Sequence, residues 1–319
     1  MKKTFNKRDI FVQLLKEIAQ ELGIEITFFS QNWIVRLAKN ERYSFIMSYN
    51  LGLNSDATSQ ICADKTATSL LLKAAKIPCI EHQLFHLHRN FQNGKGNWQS
   101  MLEFFERHNR KIVLKSNKGS GGTSVALVRD LYQLEIEVYS KLNKRHSICL
   151  APFENIRQEY RIVMLGDEPQ LIFGKTIPKL IGNGEDTVQT LLNKYFQEEE
   201  VPLPILEYLN ENKVAMQRVL PVTETVALNW KHNLSGGAAP MLVEGGEKAD
   251  VLMKLAQQTA RTLNLRFASV DIIETEEGAF KVLEVNSGVM LINFAMQSAA
   301  NYSKAKAVYK KAVQQLEFK

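Results

Sequence analysis

The stretch Phe267–Ala–Ser–Val–Asp–Ile–Ile–Glu, followed by Ala279–Phe–Lys–Val–Leu–Glu–Val–Asn, decides the fold of this chain. Both stretches are apolar apart from a few side chains that carry oxygen. The residues between them, Thr275–Glu276–Glu277–Gly278, are typical of a tight turn, and we predict a hairpin loop of two or four residues. The sequence therefore predicts two paired strands near its C-terminal end.

Three side chains of this hairpin, Asp271, Glu284 and Asn286, are oxygen ligands. Glu284 and Asn286 are two positions apart, so on a strand they point to the same face. An even-length loop puts Asp271 on that face too, roughly opposite Val282, and this donor set suits Mg²⁺ that carries substrate phosphates. The opposite, core face would be formed by Val270, Ile272, Leu283 and Val285. The alternative is a solvated polar face, which an odd-length loop would favour by splitting the ligands between faces.

Composition favours an ordinary globular protein with a real core. The chain has 319 residues, of which 45% are hydrophobic and 23% charged, and its net charge is +6. No run is long and apolar enough for a membrane span or a signal core, and three separated cysteines show no metal spacing. We therefore expect a cytoplasmic protein with no membrane partner. The mild positive charge suits anionic substrates such as nucleotides, and the absence of a basic repeat or zinc finger argues against nucleic acid.

The pattern of the chain predicts a small α/β unit first and a larger α/β body after it. Helical spacing over residues 8–22 is followed by three short strands near 24–29, 33–37 and 43–47. Further helices are predicted at 65–76, 130–142, 247–263 and 302–317, and further strands at 111–115, 124–128, 147–152 and 158–165. Residues 182–228 read as an inserted, more polar segment.

A glycine-rich loop follows Lys115, in the sequence Lys115–Ser–Asn–Lys–Gly–Ser–Gly–Gly–Thr–Ser. Glycines allow backbone amides to approach phosphate oxygens without a Cβ in the way. The spacing is neither that of a Walker loop nor that of a Rossmann fingerprint. Two interpretations stay open: a flexible cover over a phosphate, and a hairpin turn that merely uses glycine.

A second glycine cluster, Asn229–Trp–Lys–His–Asn–Leu–Ser–Gly–Gly–Ala, can also close over a reacting phosphate and exclude water. A lone loop histidine such as His232 is more often a structural donor than a general base. Arg161 and Lys175, on flanking strands, could neutralise a transferring phosphoryl group. Surface ion pairing is the alternative for either of them.

Taken in order, these motifs resemble the ATP-grasp superfamily, and within it the branch of cyanophycin synthetase and the bifunctional glutathione synthetases. Three further stretches carry the resemblance: Asp64–Lys–Thr–Ala–Thr ending in Ile77–Pro78, then Ile177–Pro–Lys–Leu–Ile–Gly–Asn–Gly–Glu–Asp–Thr–Val–Gln–Thr–Leu, then Leu228 to Gly237. The resemblance spans residues 60 to 297. It implies an α/β (α+β) ATP-grasp fold, in which two α+β subdomains grip ATP behind a small pre-ATP-grasp domain. The implied boundaries are 1–62, 63–153 and 154–319, with an insertion at 182–228.

The resemblance also implies which residues hold the nucleotide. Lys115 would contact the α and β phosphates, and the hinge would hold adenine through backbone groups. Glu159, favoured over Glu154, would bind the ribose hydroxyls. The phosphate cover would be Lys118, Gly119, Ser120, Gly121 and Gly122, and the hinge would be Pro152, Phe153 and Glu154.

The metal and the reacting groups follow from the same resemblance. Asp271, Glu284 and Asn286 would hold Mg²⁺, with Mn²⁺ as the alternative metal. The γ-phosphate and an acyl-phosphate would be steadied by Arg161, Lys175, Lys231 and Asn233. The sequence departs from the family pattern in two places. Ser287–Gly–Val–Met follows the Glu-x-Asn motif where Ser–Pro–Gly is common, and lysines replace the usual arginines at 175 and 231. Both departures affect the identity of the substrate more than the binding of the nucleotide.

The function that the resemblance implies is an ATP- and Mg²⁺-dependent carboxylate–amine ligase, which forms a peptide or amide bond through an acyl-phosphate. Its substrates would be amino acids or short peptides, and the protein would be a homodimer. Two alternatives stay open. One is a phosphotransferase on the same scaffold, and the other is a non-catalytic nucleotide-binding regulatory protein.

Overall fold

We describe a computed structural model of the chain, and within it residues 7–86, 97–119, 124–144, 147–197, 199–232, 234 and 239–318. The chain forms two compact units. Unit 1 comprises Met1–Gly174 and Leu242–Lys319, and unit 2 comprises Lys175–Met241. None of the helices in the described part of the chain is both long and apolar enough to cross a membrane. The division into three domains stays a prediction.

Residues 7–50 form a helix and a three-stranded antiparallel sheet, as the sequence predicted. Helix α1 (Lys7–Leu22) buries an apolar stripe that includes Phe11, Leu14 and Ile18. Gly23 ends it with φ +63°, a left-handed conformation that glycine adopts without strain. The sheet that follows consists of β1 (Glu25–Phe29), β2 (Ile34–Lys39) and β3 (Arg42–Met47), paired in that order.

Two consecutive capped helices come next. Helix α2 (Asp56–Ala63) begins at Ser55, whose side chain accepts a hydrogen bond from the Thr58 N–H. Helix α3 (Lys65–Ala74) begins at once after it, because the Asp64 carboxylate accepts from the Ala67 N–H as an N-cap. The short interval between them fixes Asp64 and Lys65 at a sharp change of chain direction.

A four-stranded antiparallel sheet in the order β4-β7-β5-β6 forms the first large layer. Its strands are β4 (Gln83–His86), β5 (Ile112–Ser116), β6 (Val125–Val128) and β7 (Ser147–Pro152). Helices α4 (Asn97–Arg107) and α5 (Leu131–Lys144) accompany it, and a core that includes Phe104, Leu114 and Leu134 packs them together. Strands β5 and β6 flank the glycine-rich loop, as predicted.

A five-stranded sheet in the order β12-β9-β8-β13-β14 forms the second layer. Strand β13 (Phe267–Thr275) is buried along its whole length because it lies between β8 (Ile156–Leu165) and β14 (Phe280–Asn286). Helix α8 (Glu247–Thr262) packs on one face of this sheet through a core that includes Leu252 and Ala256. The remaining elements are β9 (Glu168–Thr176), β12 (Ala239–Leu242), α9 (Ile292–Ala295) and α10 (Ala299–Gln314).

The hairpin loop differs from its prediction. It has three residues, 276–278, because the Thr275 N–H donates to the Ala279 carbonyl and Gly278 takes φ +85°. An odd loop alone would split the three oxygen ligands between faces. A β-bulge at Leu283 shifts the register by one residue, so Asp271 lies opposite Glu284 and not near Val282.

The same bulge changes the composition of the core face. Val270, Ile272 and Val285 pack against α8 as expected, and Val282 joins them. Leu283 is on the other side, in a small apolar cluster with Ile273. The predicted placement of Leu283 in the core face was therefore wrong, because a bulge puts two consecutive side chains on one face.

Unit 2 has a core of its own. It contains β10 (Lys179–Ile181), α6 (Val188–Tyr195), α7 (Leu203–Glu211) and β11 (Thr225–Ala227), with β10 and β11 antiparallel. Six buried aliphatic residues hold it together: Leu180, Val188, Leu192, Leu209, Leu220 and Leu228. Residues 182–228, which the sequence analysis interprets as an insertion, lie within this folded unit.

Substitution of Gly182 by alanine is expected to destabilise unit 2. A Cβ at this position would lie 2.0 Å from the Pro221 carbonyl oxygen and 2.5 Å from that of Leu220, both of them rigid backbone atoms. Overpacking of this kind costs about 1–3 kcal/mol. Urea denaturation should show the loss, whereas Gly245→Ala, where the added Cβ meets nothing within 4 Å, should leave stability unchanged. Equal stability of both variants would contradict this packing.

Candidate active site

The three predicted metal ligands lie on one face of the five-stranded sheet. Asp271 is opposite Glu284, and Asn286 is opposite Ser269, so all of these positions share a face. The Asn286 Nδ2 donates a hydrogen bond of 3.1 Å to Glu284 Oε1. This contact leaves the amide oxygen of Asn286 for another partner.

Arg161 reaches the same face from the neighbouring strand β8, where it lies opposite Asp271. Its Nε and Nη2 donate to Asp271 Oδ1 and Oδ2 at 2.8 and 2.6 Å, a bidentate pair. Burial acts to lower the pKa of Arg161, but the Asp271 carboxylate outweighs it and the pKa is raised. Asp271 is 1% exposed, so this pair is a buried one.

Two buried lysines face this acidic group. Lys115, at the end of β5, is 7% exposed; burial lowers its pKa, and the negative charges of Glu284 and Glu159 counteract part of that effect. Lys65, at the start of α3, is 9% exposed, and its ammonium group donates to the Gly119 carbonyl at 2.6 Å. The charge of Lys65 also lowers the pKa of Lys115, which places the two cations in one local field.

Lys65 was not among the residues that the sequence analysis assigned to the site. A signal was present, since Asp64–Lys65 was part of the motif that carried the resemblance. The structure ties this helix start to the phosphate loop: Asn117 Oδ1 accepts from the N–H and the hydroxyl of Thr66, and Asp64 forms a β-bridge with Lys118. The helix therefore brings its first lysine to the beginning of the glycine-rich loop.

The predicted phosphate cover is only partly described. Lys118 is exposed at the start of the loop, and the Gly119 carbonyl accepts from Lys65. Ser120, Gly121 and Gly122 lie outside the described residues. Their role in a phosphate cover stays a prediction.

The hinge leaves β7 at Pro152 and turns into β8. The Phe153 N–H donates to the Lys111 carbonyl, and the Lys111 ammonium lies 4.0 Å from the Phe153 ring centroid. Glu154 is ion-paired with Lys281 at 2.7 Å. These contacts fix the backbone of the hinge against the four-stranded and the five-stranded sheet.

The two candidate ribose ligands have different surroundings. Glu159 lies opposite Ile273 in β13, on the face that carries Arg161 and Asp271, and it is buried. Its negative charge raises the pKa of Lys115 and of Arg161. Glu154 instead belongs to the hinge ion pair with Lys281.

An apolar group lies beside these charges. Ala151 comes from the first layer and Ile80 from the segment before β4, and Ile273 and Leu283 come from the second layer, with Ile156 packed against them. A cavity of about 330 Å³ borders β14 and α3, and its wall includes Lys65, Lys118, Glu284 and Asn286. Residues 47–50, which follow β3, form another part of that wall.

Unit 2 carries the remaining candidate residues. Lys175 is buried at the end of β9, and His232 Nδ1 lies 2.9 Å from its carbonyl oxygen. The imidazole must donate to that carbonyl, which gives His232 a structural role. The Lys231 N–H donates to Asn229 Oδ1, and its ammonium lies 5.4 Å from the Trp230 ring centroid. Asn233 lies outside the described residues.

Asp271, Glu284 and Asn286 could hold a divalent cation only as a set that combines two carboxylates with one amide oxygen. Within the described residues, no three His, Cys, Asp or Glu side chains gather as metal ligands. The candidate set therefore depends on Asn286 as a third donor, and the Asp271 oxygens already accept from Arg161. An ionised carboxylate has about four lone-pair positions, so it can accept from arginine and still face a cation. An all-oxygen set completed by phosphate oxygens suits Mg²⁺.

The fold is that of the ATP-grasp proteins. A bifunctional glutathione synthetase from Pasteurella multocida superposes on 96% of this chain with a TM-score of 0.57 at 15% identity, and the match covers 43% of that protein. D-alanine–D-alanine ligase from Bacillus anthracis superposes on 80% of this chain and 67% of its own length, with a TM-score of 0.51 at 13% identity. These likenesses confirm the predicted fold class.

One curated relative shares sequence over a short stretch. Tetrahydromethanopterin:alpha-L-glutamate ligase from Methanocaldococcus jannaschii is 42% identical over 73 residues, which are 23% of this chain and 24% of the relative. No protein-family model matches the chain. The chain thus spans less than half the length of the glutathione synthetase, and its sequence match covers about a quarter of the glutamate ligase.

Removal of the Arg161 fork is expected to destabilise unit 1 strongly. Arg161→Met leaves the carboxylate of Asp271 charged and buried, which costs about 3–5 kcal/mol when one partner of a buried pair is removed. Arg161→Met combined with Asp271→Leu should recover much of that loss. Chemical denaturation of the two variants measures both effects.

Arg157→Met is the matched control, because Arg157 lies on the same strand with a side chain that is 51% exposed. Its acidic partner Glu274 is buried, but that carboxylate keeps the Lys248 ammonium and the Tyr160 hydroxyl as donors when Arg157 is removed. An arginine that is half exposed contributes about 0–1 kcal/mol through such a pair, so the stability of this variant should be near that of the wild type. If Arg157→Met lowered the free energy of unfolding as much as Arg161→Met does, the buried ion pair would contribute no more to stability than the half-exposed arginine.

Proposed function

We propose that the protein is an ATP- and Mg²⁺-dependent carboxylate–amine ligase. The observation that carries this proposal is the arrangement of Glu284 and Asn286 beside Asp271 on one sheet face, within the electrostatic range of the buried Lys115. A metal–polyphosphate complex carries a metal cation, which acidic oxygen donors bind, and phosphate anions, which buried cations bind. This arrangement of residues therefore suits such a complex.

The similar proteins support the ligase class. The glutamate ligase, the glutathione synthetase and the D-alanine–D-alanine ligase are each named for joining small molecules. We propose by analogy that this chain joins an amino acid or short peptide to an amine.

The proposed roles in nucleotide binding follow from position. Lys115 and Lys65 neutralise the phosphate chain, and Glu159 accepts from the ribose hydroxyls. The apolar group around Ile273 and Leu283 offers a surface for the adenine ring beside the hinge. Lys118, with the glycine-rich loop, covers the phosphates.

Asp271, Glu284 and Asn286 are the proposed Mg²⁺ ligands, and Arg161 holds Asp271 in position through its fork. When bound, the metal ion would neutralise the negative charge of the polyphosphate. Arg161 is itself a cation on this face, so it can stabilise charge on the transferred phosphoryl group. Lys175, Lys231 and Asn233 keep their predicted role with the acyl-phosphate.

The proposed chemistry has two steps. An oxygen of the substrate carboxylate attacks the γ-phosphorus of ATP and the bond to ADP breaks, which gives an acyl-phosphate. The amine then attacks the acyl carbon, inorganic phosphate leaves with the bonding electron pair, and the amine loses a proton. No protein nucleophile takes part, so the residues act by positioning and by charge neutralisation.

The homodimer, the cytoplasmic location and the absence of a nucleic-acid partner stay predictions. Mg²⁺ is the metal that we propose, since it is the metal that phosphate-bearing oxygen sites commonly hold.

The class of reaction is tested by phosphate release from Mg–ATP with pooled amino acids and dipeptides, each with and without hydroxylamine. Hydroxylamine traps an acyl-phosphate, so acid-dependent release in its presence is expected. Release that also requires a second amino compound would identify the ligase and its amine. A stable phosphorylated acid or alcohol without amine dependence would support a phosphotransferase and overturn the ligase.

Glu284→Gln is expected to reduce turnover on the order of 100-fold or more, because loss of one preorganised charged group at such a site costs that much. Its stability should change little, since Glu284 is on the edge strand of the sheet. Glu277→Gln, in the exposed loop of the same hairpin, is the control and should keep full activity. Full turnover in Glu284→Gln would refute the metal assignment.

Lys65→Ala is expected to raise the KM for ATP about tenfold or more, as loss of a hydrogen bond to a charged group does. Lys73→Ala, on the exposed face of the same helix, should keep the wild-type KM. Steady-state kinetics over a range of ATP concentrations gives the KM for ATP of both variants. An unchanged KM in Lys65→Ala would remove Lys65 from the nucleotide site.

A further inference from the structure

His82 is a buried side chain that the proposed mechanism does not use. It lies between two ordered segments: the Ile80 N–H donates to the Val282 carbonyl at the sheet edge, and β4 begins at Gln83. The imidazole is 4% exposed. Neither ring nitrogen makes a hydrogen bond of good geometry with the described residues. The one backbone group among them that interacts with the ring is that of Ile80, and its effect on the pKa is smaller than that of burial.

A buried imidazole without well-formed hydrogen bonds is costly, because it loses its hydrogen bonds to water and regains only part of them from the protein. Such groups are retained mainly where a ligand, an ion or a water completes them. His82 lines the cavity whose wall also includes Lys65, Glu284 and Asn286. Its position is therefore within the proposed site.

The surroundings of His82 indicate what kind of atom could complete it. Burial lowers the pKa of His82 well below its usual value, and the charges of Lys115 and Lys65 lower it further. A weak hydrogen-bond interaction with the Ile80 backbone acts in the opposite direction, and its effect on the pKa is smaller. A neutral imidazole still carries one N–H donor, and the two ammonium groups attract anionic atoms into the same space.

We propose that His82 is a ligand-binding residue of this site, which donates an N–H hydrogen bond to an anionic oxygen of the bound ligand. That oxygen belongs to the phosphate chain of the nucleotide or to the carboxylate of the acid substrate. This inference rests on the proposed function and adds a contact that the three metal ligands and two lysines do not supply.

A second hollow, on the outer side, gives a competing explanation. His82 shares its lining with Ser69, Cys79 and Lys73. A water molecule there could complete the ring without any part in ligand binding. Substitutions at His82 would then leave the binding of both ligands unchanged.

The test uses the full chain with His82→Phe, which removes the donor, and His82→Gln, which keeps an N–H. Calorimetry with Mg–ADP gives nucleotide affinity, and phosphate release gives the KM for the acid. His82→Phe is expected to weaken one of these about tenfold or more, the factor for a hydrogen bond to a charged group. His82→Gln should stay within about threefold of wild type, since its donor is retained.

The two arms identify the source of the anionic oxygen. A loss confined to Mg–ADP binding assigns the phosphate chain, and a loss confined to the acid KM assigns the carboxylate. Unchanged values in a folded His82→Phe variant would overturn the proposal. His108→Phe, at a histidine after helix α4 and outside this cavity, is the control and should match wild type.

A measurement on the wild-type protein covers the case in which His82→Phe does not fold. The ring nitrogens of the six histidines give separate ¹⁵N signals, and the His82→Gln spectrum assigns those of His82. These signals should shift when Mg–ADP or the acid is added, and no shift with either would overturn the proposal. Absence of Mg–nucleotide binding by the wild-type protein would instead overturn the proposed function, and the role of His82 with it.

Discussion

One irregularity in a β-ladder determines where the acidic groups of this protein lie. The three-residue loop after Thr275 would place Asp271 and Glu284 on opposite faces of the sheet if the ladder ran on regularly. The extra residue Leu283 shifts the register by one, so that the two carboxylates lie opposite each other. A one-residue slip exchanges the faces of every later side chain, which is why a single bulge has so large an effect. The metal ligands, the apolar cluster of Ile273 and Leu283 and the packing of α8 all depend on it.

Charge balance is the second constraint on the site. Lys65, Lys115 and Arg161 lie in the same local field as Glu159, Asp271 and Glu284, as their mutual effects on pKa show. Within the described part of unit 1, cationic and anionic side chains are thus close together at a site with little access to solvent. A metal–polyphosphate adds charges of both signs, so it can bind with little net change in this balance. A bare anion would meet the carboxylates, and a bare cation would meet the lysines. The arrangement therefore favours the complex over either component.

Much of the fold could be predicted from the sequence, because its signals are local. Period 3.6 at Phe11, Leu14 and Ile18 predicts α1, and the spacing of Glu284 and Asn286 predicts that they share a face. The loop length and the bulge could not be predicted, since a tight turn of this composition allows two, three or four residues. The motif at Asp64–Lys65 was a signal for the role of Lys65, but its contact within the site could not be predicted, for a different reason. Its contact with Gly119 joins residues 54 positions apart and exists only once α3 packs beside β5. The same holds for the fork between Arg161 and Asp271, separated by 110 positions.

Several positions that break local rules fall together near the end of β14. A bulge interrupts the ladder at Leu283, two lysines are buried at the start of α3 and the end of β5, and His82 is buried without a well-formed hydrogen bond to the described residues. Each of these features opposes stability on its own, since a regular ladder, exposed lysines and an apolar residue at position 82 would all fold more easily. They border one sheet edge, whereas the apolar cores around Phe104, Leu252 and Leu192 are regular. Sequences depart from local consistency mainly at functional sites. The clustering of these exceptions around Glu284 and Asn286 therefore supports this edge as the place where the chemistry occurs, independently of any likeness to other proteins.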